Sequence, residues 1–229
     1  MPLRGLRRPP NIRDDDLKSA AGLLDLLVPE SFSPDQLIFG QGLPGDRVHI
    51  IESGVVKIRR SDLGGRDRLI ALAGPGDIVG ELAVLDPGPR TSSVVALDWV
   101  ETRSLDRSAL REWIAGDPAA GSVLLQLLAR LVKRQHDRFA EQRKHDTETL
   151  VARVLVDLSE RLAVVSDDGS IATPPLTDAE LADLVGTSQD EVATVLRSFA
   201  DKGVIAFEGA TVVTCDRDEL RRHSGLDRP

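Results

Sequence analysis

The sequence has one cysteine, Cys215, in 229 residues. A single thiol forms no intrachain disulfide and cannot ligate an iron–sulfur cluster within one chain. No apolar run approaches the roughly 20 residues of a membrane span. The basic start "MPLRGLRRPP" is followed by no apolar stretch of the kind that opens a secretory signal, so a cytoplasmic protein with no membrane partner is expected. The histidines His49, His136, His145 and His223 are scattered. The clustered imidazoles or carboxylates of a metal-dependent enzyme are therefore missing, and neither metal ligands nor a cofactor are expected. His49, in "RVHII", reads as a strand residue at a polar position rather than as an axial haem ligand. No nucleophile–base pair is visible, and no enzyme is expected.

What is present is ordinary for a folded protein. Hydrophobic residues make up 41% and charged residues 29%, too apolar for disorder. The length allows two domains, each with its own core. The net charge of −8 argues against a general nucleic-acid binder, since phosphate contacts need a basic face, but charge can be concentrated locally.

Organisation changes along the chain. "DDDLKSAAGLLDLLVPE" has helical spacing with acids in its first turn, so a helix is expected there. From Gln36 to about Leu105 short β-like runs alternate with glycine turns, which implies an antiparallel barrel or jelly roll. "RSALREWIAGDP" reads as a short helix stopped by Gly116 and Pro118. From Ala119 to Ala163 there is no proline. Leu124, Leu127 or Leu128, Leu131, Gln135, Phe139 and Gln142 form a stripe near coiled-coil spacing, and self-association is favoured over packing within the domain. A second helix is expected to start near Asp146 to Thr149 and to bury Val151, Val154, Leu155 and Leu158.

"VVSDDGSIATPP" is a loop by composition. Beyond it come a helix, a tight turn at Gly186, a second helix and two short strands around Gly209. Thr177 with Glu180, and Ser188 with Glu191, are spaced as capping boxes at the two helix starts. The pattern is a helix-turn-helix with a wing. Gln189 and Asp190 fall on the first turn of the second helix, the part that meets base edges in a major groove. Thr187 and Ser188 can donate to flanking phosphates, and Arg197 lies two turns on. The two helices are acidic, so phosphate affinity is assigned to Arg197, Lys202 and the C-terminal Arg221 and Arg222.

"VGELAVLDPGPRTSS", residues 79–93, gathers an acid, an arginine and hydroxyls between glycine turns. Amides near Gly80 to Ala83, at the start of a short helix, suit a bound anion. Arg90 supplies a planar donor fork for phosphate oxygens, and Thr91 adds donors. Glu81 would repel phosphate, so its carboxylate is expected to accept from a ribose hydroxyl. The ligand implied is a nucleotide held by phosphate and sugar.

"GELAVLDPGPRTSSVVA", set between jelly-roll strands and followed by a long helix and a winged helix-turn-helix, resembles the bacterial Crp–Fnr family of transcription regulators. The likeness runs from about Gln36 to the C-terminus. It implies an α+β chain in three parts: a jelly-roll cyclic-nucleotide-binding domain over 1–117, a dimerisation helix over 118–146 and a winged helix-turn-helix over 147–229. It places Gly80, Glu81, Leu82, Arg90, Thr91 and Ser92 at cyclic-nucleotide contacts, with Ile70, Ala71 and Ile78 lining base and sugar. Gln135 and His136 fall where cyclic-AMP-responsive relatives bring Thr and Ser or Asn to the adenine. On the recognition helix Gln189, Asp190 and Thr194 stand where such relatives carry Arg, Glu and Arg. The resemblance implies a homodimer on a two-fold double-stranded DNA operator, an effector that is cyclic AMP or another cyclic nucleotide, and RNA polymerase as a further partner. Two other readings stay open: a nucleotide-binding regulator acting through protein contacts, and a DNA-binding regulator that needs no effector.

Overall fold

The computed structural model describes residues 26–116, 146–165 and 171–226, together with 121, 122, 125 and 129. The chain divides into two compact units, one reaching to Asp137 and the other starting at Arg138, with residues 68–70 grouped with the second.

The first unit contains β1 (Val28–Phe32), β2 (Leu37–Phe39), β3 (Arg47–Ser53), β4 (Val56–Ser61), β5 (Asp67–Ala73), β6 (Ile78–Val79), α1 (Glu81–Leu85), β7 (Ser93–Ala96), β8 (Val100–Asp106) and α2 (Arg107–Gly116). The strands form two four-stranded sheets, ordered β1-β8-β3-β6 and β2-β7-β4-β5. This is the jelly roll expected from the glycine-punctuated runs. Ile51, Val79 and Val100 of one sheet meet Val56, Ala73, Val94 and Ala96 of the other in a shared core. β3 is apolar on both faces for a reason: Val48 and Ile50, on the side away from that core, pack against Leu110 and Trp113 of α2.

One expectation is corrected here. In place of helix through Glu30, Val28–Phe32 is a strand, paired antiparallel with Val100–Ser104 of β8. Pro29 lacks the N–H that a helix interior needs, and β1 lies at a sheet edge, where proline is tolerated.

The second unit contains α3 (Thr147–Arg161), β9 (Val164–Val165), β10 (Ile171–Ala172), α4 (Asp178–Val185), α5 (Gln189–Asp201), β11 (Ile205–Glu208), β12 (Thr211–Thr214) and α6 (Arg217–Ser224). Asp146 caps α3 by accepting from the Thr149 amide at 2.8 Å. That helix buries Val151, Leu155 and Leu158 as expected, while Val154 is half-buried. The stretch expected to be a loop contains β9 and β10, with Ile171 opposite Val165. Strands of two residues leave no periodicity to read. The four strands form one sheet, ordered β11-β12-β10-β9. The stripe from Leu124 to Gln142 lies outside the described residues.

Candidate nucleotide pocket and DNA-facing helix

The site in the first unit is built around a left-handed turn. Gly80 has φ of 83° and starts α1. Any other residue there would be strained, and a Cβ would lie 2.4 Å from Arg90 Nη1. No side chain caps α1. The backbone of Arg90 is tied to the β2–β3 loop, its amide donating to Leu43 O and its carbonyl accepting from Gly42 N, both at 2.8 Å.

The Arg90 guanidinium does not lie open. The residue is 4% exposed. Nη1 donates to Gly80 O at 2.8 Å and Nη2 to Arg47 O at 2.6 Å. Its Cζ sits 3.9 Å from the centre of the Phe39 ring, and Nε is buried without a partner. Burial pulls the pKa of the guanidinium down, and Asp46 and Glu81 oppose that shift. Next to it, Arg107 donates to Gly45 O and Ala83 O, and its amide to Asp46 O. These bonds hold the β2–β3 loop and α1 to the start of α2.

Other expected contacts are placed as follows. Ile70, Leu82 and Thr91 are exposed, while Ala71, Ile78, Glu81 and Ser92 are half-buried. Gln135 and His136 lie outside the described residues. Sequence reading missed Phe39, Arg47 and His49, which line the back of Arg90. His49 lies in β3, as expected, and is buried. Its ring stacks on Phe39 at 5.9 Å and meets Phe32 edge-on at 6.1 Å. Desolvation lowers its pKa to about 4, against the opposing pull of Glu30. The apolar run "LIF" in β2 was the available signal for Phe39; nothing local pointed to Arg47. Among the described residues no three His, Cys, Asp or Glu side chains are grouped to hold a metal ion.

The second unit presents the helix-turn-helix. Thr177 with Glu180, and Ser188 with Glu191, both form complete capping boxes. Between the helices Gly186 takes φ of 81°, which ends α4 and lets the chain turn sharply. Gln189, Asp190, Glu191, Thr194 and Arg197 are exposed, while Val192, Leu196 and Phe199 are buried on the other side of α5. Thr194 donates its hydroxyl to Asp190 O at 2.8 Å, and Arg197 Nε donates to Ala193 O at 3.1 Å.

The expected phosphate cations are differently disposed. Lys202 Nζ lies 3.7 Å from Glu148, Arg221 Nε donates to Glu160 at 3.0 Å, and Arg222 Nε donates to Glu219 at 2.9 Å. "RDELRRHS" is helix α6, whose packing on α3 turns Arg217 and Arg221 onto Glu160. A cavity of about 370 Å³ lies among α3, α4, α5 and the wing, with Leu155, Leu196 and Phe207 in its walls. Of the expected site residues it touches Gln189 alone.

Residues 29–117 match the cyclic nucleotide-binding domain, and residues 151–223 the Crp-like helix-turn-helix domain. The CRP-like cAMP-activated global transcriptional regulator of Mycobacterium tuberculosis is 40% identical over 204 residues, covering 89% of this chain and 91% of its own. The chain belongs to the Crp–Fnr family. A second relative, the cyclic AMP receptor protein of Thermus thermophilus, is 33% identical over 76% of this chain and 78% of its own. FixK2 from Bradyrhizobium japonicum shares the fold with a TM-score of 0.71 at 24% identity, covering 89% of this chain and 98% of that one. A CRP-family transcriptional regulator from Thermus thermophilus has a TM-score of 0.72 at 23% identity, covering 86% of this chain and 96% of that one. As a Crp–Fnr member the chain is a cyclic-nucleotide-binding transcription regulator, and the relatives it matches are regulators rather than enzymes. No helix among the described residues is long and apolar enough to cross a membrane.

Proposed function

We propose that the protein is a homodimer that binds a two-fold DNA operator in response to a cyclic nucleotide, cyclic AMP in the first place. The observation that carries this reading is the placement of Arg90 beside the Gly80 turn that opens α1, within residues that match the cyclic nucleotide-binding domain. Released from the Gly80 carbonyl, the guanidinium offers a cyclic phosphate its planar donor fork. Glu81 accepts from the ribose 2′-hydroxyl, Thr91 and Ser92 add donors to the phosphate, and Ile70, Ala71, Ile78 and Leu82 flank base and sugar. Gln135 and His136 reach the base from the dimer helix. Thr187, Ser188, Gln189, Asp190, Thr194 and Arg197 face DNA, and RNA polymerase is the partner on the promoter.

Binding shifts a two-state equilibrium, and a coupling of about 1–3 kcal/mol between nucleotide and DNA suffices for a useful response. The test is calorimetry with cyclic AMP and cyclic GMP, followed by DNA titration with and without nucleotide. Arg90→Leu is expected to abolish nucleotide binding while the protein still melts cooperatively. Wild-type protein giving no heat with either nucleotide at millimolar concentration refutes the effector. The pairing of Lys202, Arg221 and Arg222 with carboxylates favours a second reading, a regulator acting through protein contacts. Nucleotide binding without salt-dependent DNA binding would select it.

A further inference from the structure

Arg90 is folded away from any incoming phosphate. Its two terminal nitrogens are spent on the carbonyls of Gly80 and Arg47, at 2.8 and 2.6 Å. Its cationic plane lies 3.9 Å from the Phe39 ring centre. That ring is itself backed by the His49 imidazole, stacked at 5.9 Å with 29° between planes. His49 is held in turn at 3.4 Å from the Thr102 hydroxyl and 3.6 Å from the Glu30 carboxylate, which Arg47 and Ser104 also engage. With desolvation keeping the pKa of His49 near 4, the imidazole is neutral at physiological pH. It therefore backs the ring without repelling the guanidinium across it.

We infer that Phe39 is a positioning residue that stores Arg90 in a phosphate-inaccessible pose, so that effector affinity is set by competition between the ligand's phosphate and this bed. The inference rests on the nucleotide reading above and extends it to the regulation of that same site. The physical argument is a population one. A binding-competent state that is only fractionally occupied lowers apparent affinity by that fraction. On this proposal the buried pose, 4% exposed, is the major form and the competent arginine the minor one. Leaving the bed gives up two charge-assisted hydrogen bonds and the ring contact. The phosphate supplies replacement acceptors, and the buried Nε, which has no partner in the stored pose, gains one. Gly80 is part of the same device. A Cβ at Gly80 would lie 2.4 Å from Nη1.

The sign of the effect separates storage from simple packing. Phe39 also packs against the jelly-roll core, so Phe39→Leu alone could act by loosening the fold. Fluorinated phenylalanines at position 39 keep the size of the ring and drain its negative face. Storage predicts that cyclic AMP affinity rises with each added fluorine, by about three- to tenfold across the series. A flat series, or affinity that falls with fluorination, overturns the inference, because the arginine would then rest on the ring in the bound form as well. The companion measurement starts from ligand-free protein. In nitrogen-15 arginine-labelled protein the Arg90 Nε–H signal is expected upfield, shielded by the ring and slow to exchange, and it loses both properties on saturation with cyclic AMP. An unshielded, rapidly exchanging signal in ligand-free protein overturns storage. A shielded signal in a protein that binds neither cyclic nucleotide overturns the functional reading instead.

Discussion

The carboxylate of Glu191 accepts hydrogen bonds from the Ser188 amide at 3.1 Å and the Ser188 hydroxyl at 2.8 Å, and the Ser188 hydroxyl accepts from the Glu191 amide at 3.3 Å. The Thr187 hydroxyl donates to the same carboxylate. These bonds, Thr187's first, hold the Glu191 pKa below the usual carboxylate range, so the group stays ionised. Both hydroxyls assigned to DNA phosphates are thus turned toward an anion on the end of α5 proposed to face DNA. Glu191→Gln keeps a capping-box side chain and removes the charge. Binding to all DNA sequences is expected to tighten a few-fold, read by fluorescence anisotropy. Unchanged affinity would mean that this end of α5 does not approach the backbone.

Gln189 and Arg197 separate specificity from affinity. Gln189→Ala removes a base-edge contact, costing about 1–3 kcal/mol at one base pair per half-site and relaxing selectivity there. Arg197→Ala weakens all sequences alike and lowers the salt slope by about one. Selection from random DNA, followed by titration of both variants, checks this. Equal losses on every sequence would remove Gln189 from base readout.

Acid should loosen the jelly roll through His49. Folded, this group titrates at about 4, against 6.5 for the ordinary imidazole. Between those values the unfolded chain binds more protons, so stability rises with pH across the window and is lost as pH falls from 6.5 toward 4. The full effect is on the order of 3 kcal/mol. Urea unfolding of the first unit at about pH 7 and about pH 5 is expected to show the loss, and His49→Gln to flatten it. A wild-type midpoint that does not move in that window contradicts the buried neutral form.

The leucine stripe bears on assembly. Leu128→Glu with Leu131→Glu places two charges in the seam expected between protomers. Sedimentation is expected to show monomers for this variant and dimers for the wild type at micromolar concentration. A monomeric wild type would contradict the two-fold arrangement.

Local chemistry was legible and distant chemistry was not. Both capping boxes and the Gly186 turn follow from contacts three residues apart, so Thr177, Glu180, Ser188 and Glu191 could be assigned before any fold was known. Strand β1 could not, because its partners Val100–Ser104 lie at the far end of the unit and its own residues mix proline with acid. The C-terminal Arg221 and Arg222 read as phosphate contacts. Their pairing was not legible, because Arg217 and Arg221 meet Glu160 only once α6 has packed on α3.

The sequence by itself determined the order of the parts and the residue types of the site: a left-handed glycine, an acid, an arginine and hydroxyls in one short segment. It did so because the turn at Gly80, the short helix after it and the helix caps are set by neighbours in the chain. Only the tertiary structure decided which way Arg90 points. The carbonyl that takes its Nη2 proton belongs to Arg47, 43 residues away, and the ring beneath it belongs to another strand of the jelly roll. A long cationic side chain has many rotamers of similar local energy. The one adopted is selected by the acceptors and the aromatic face that folding brings around it.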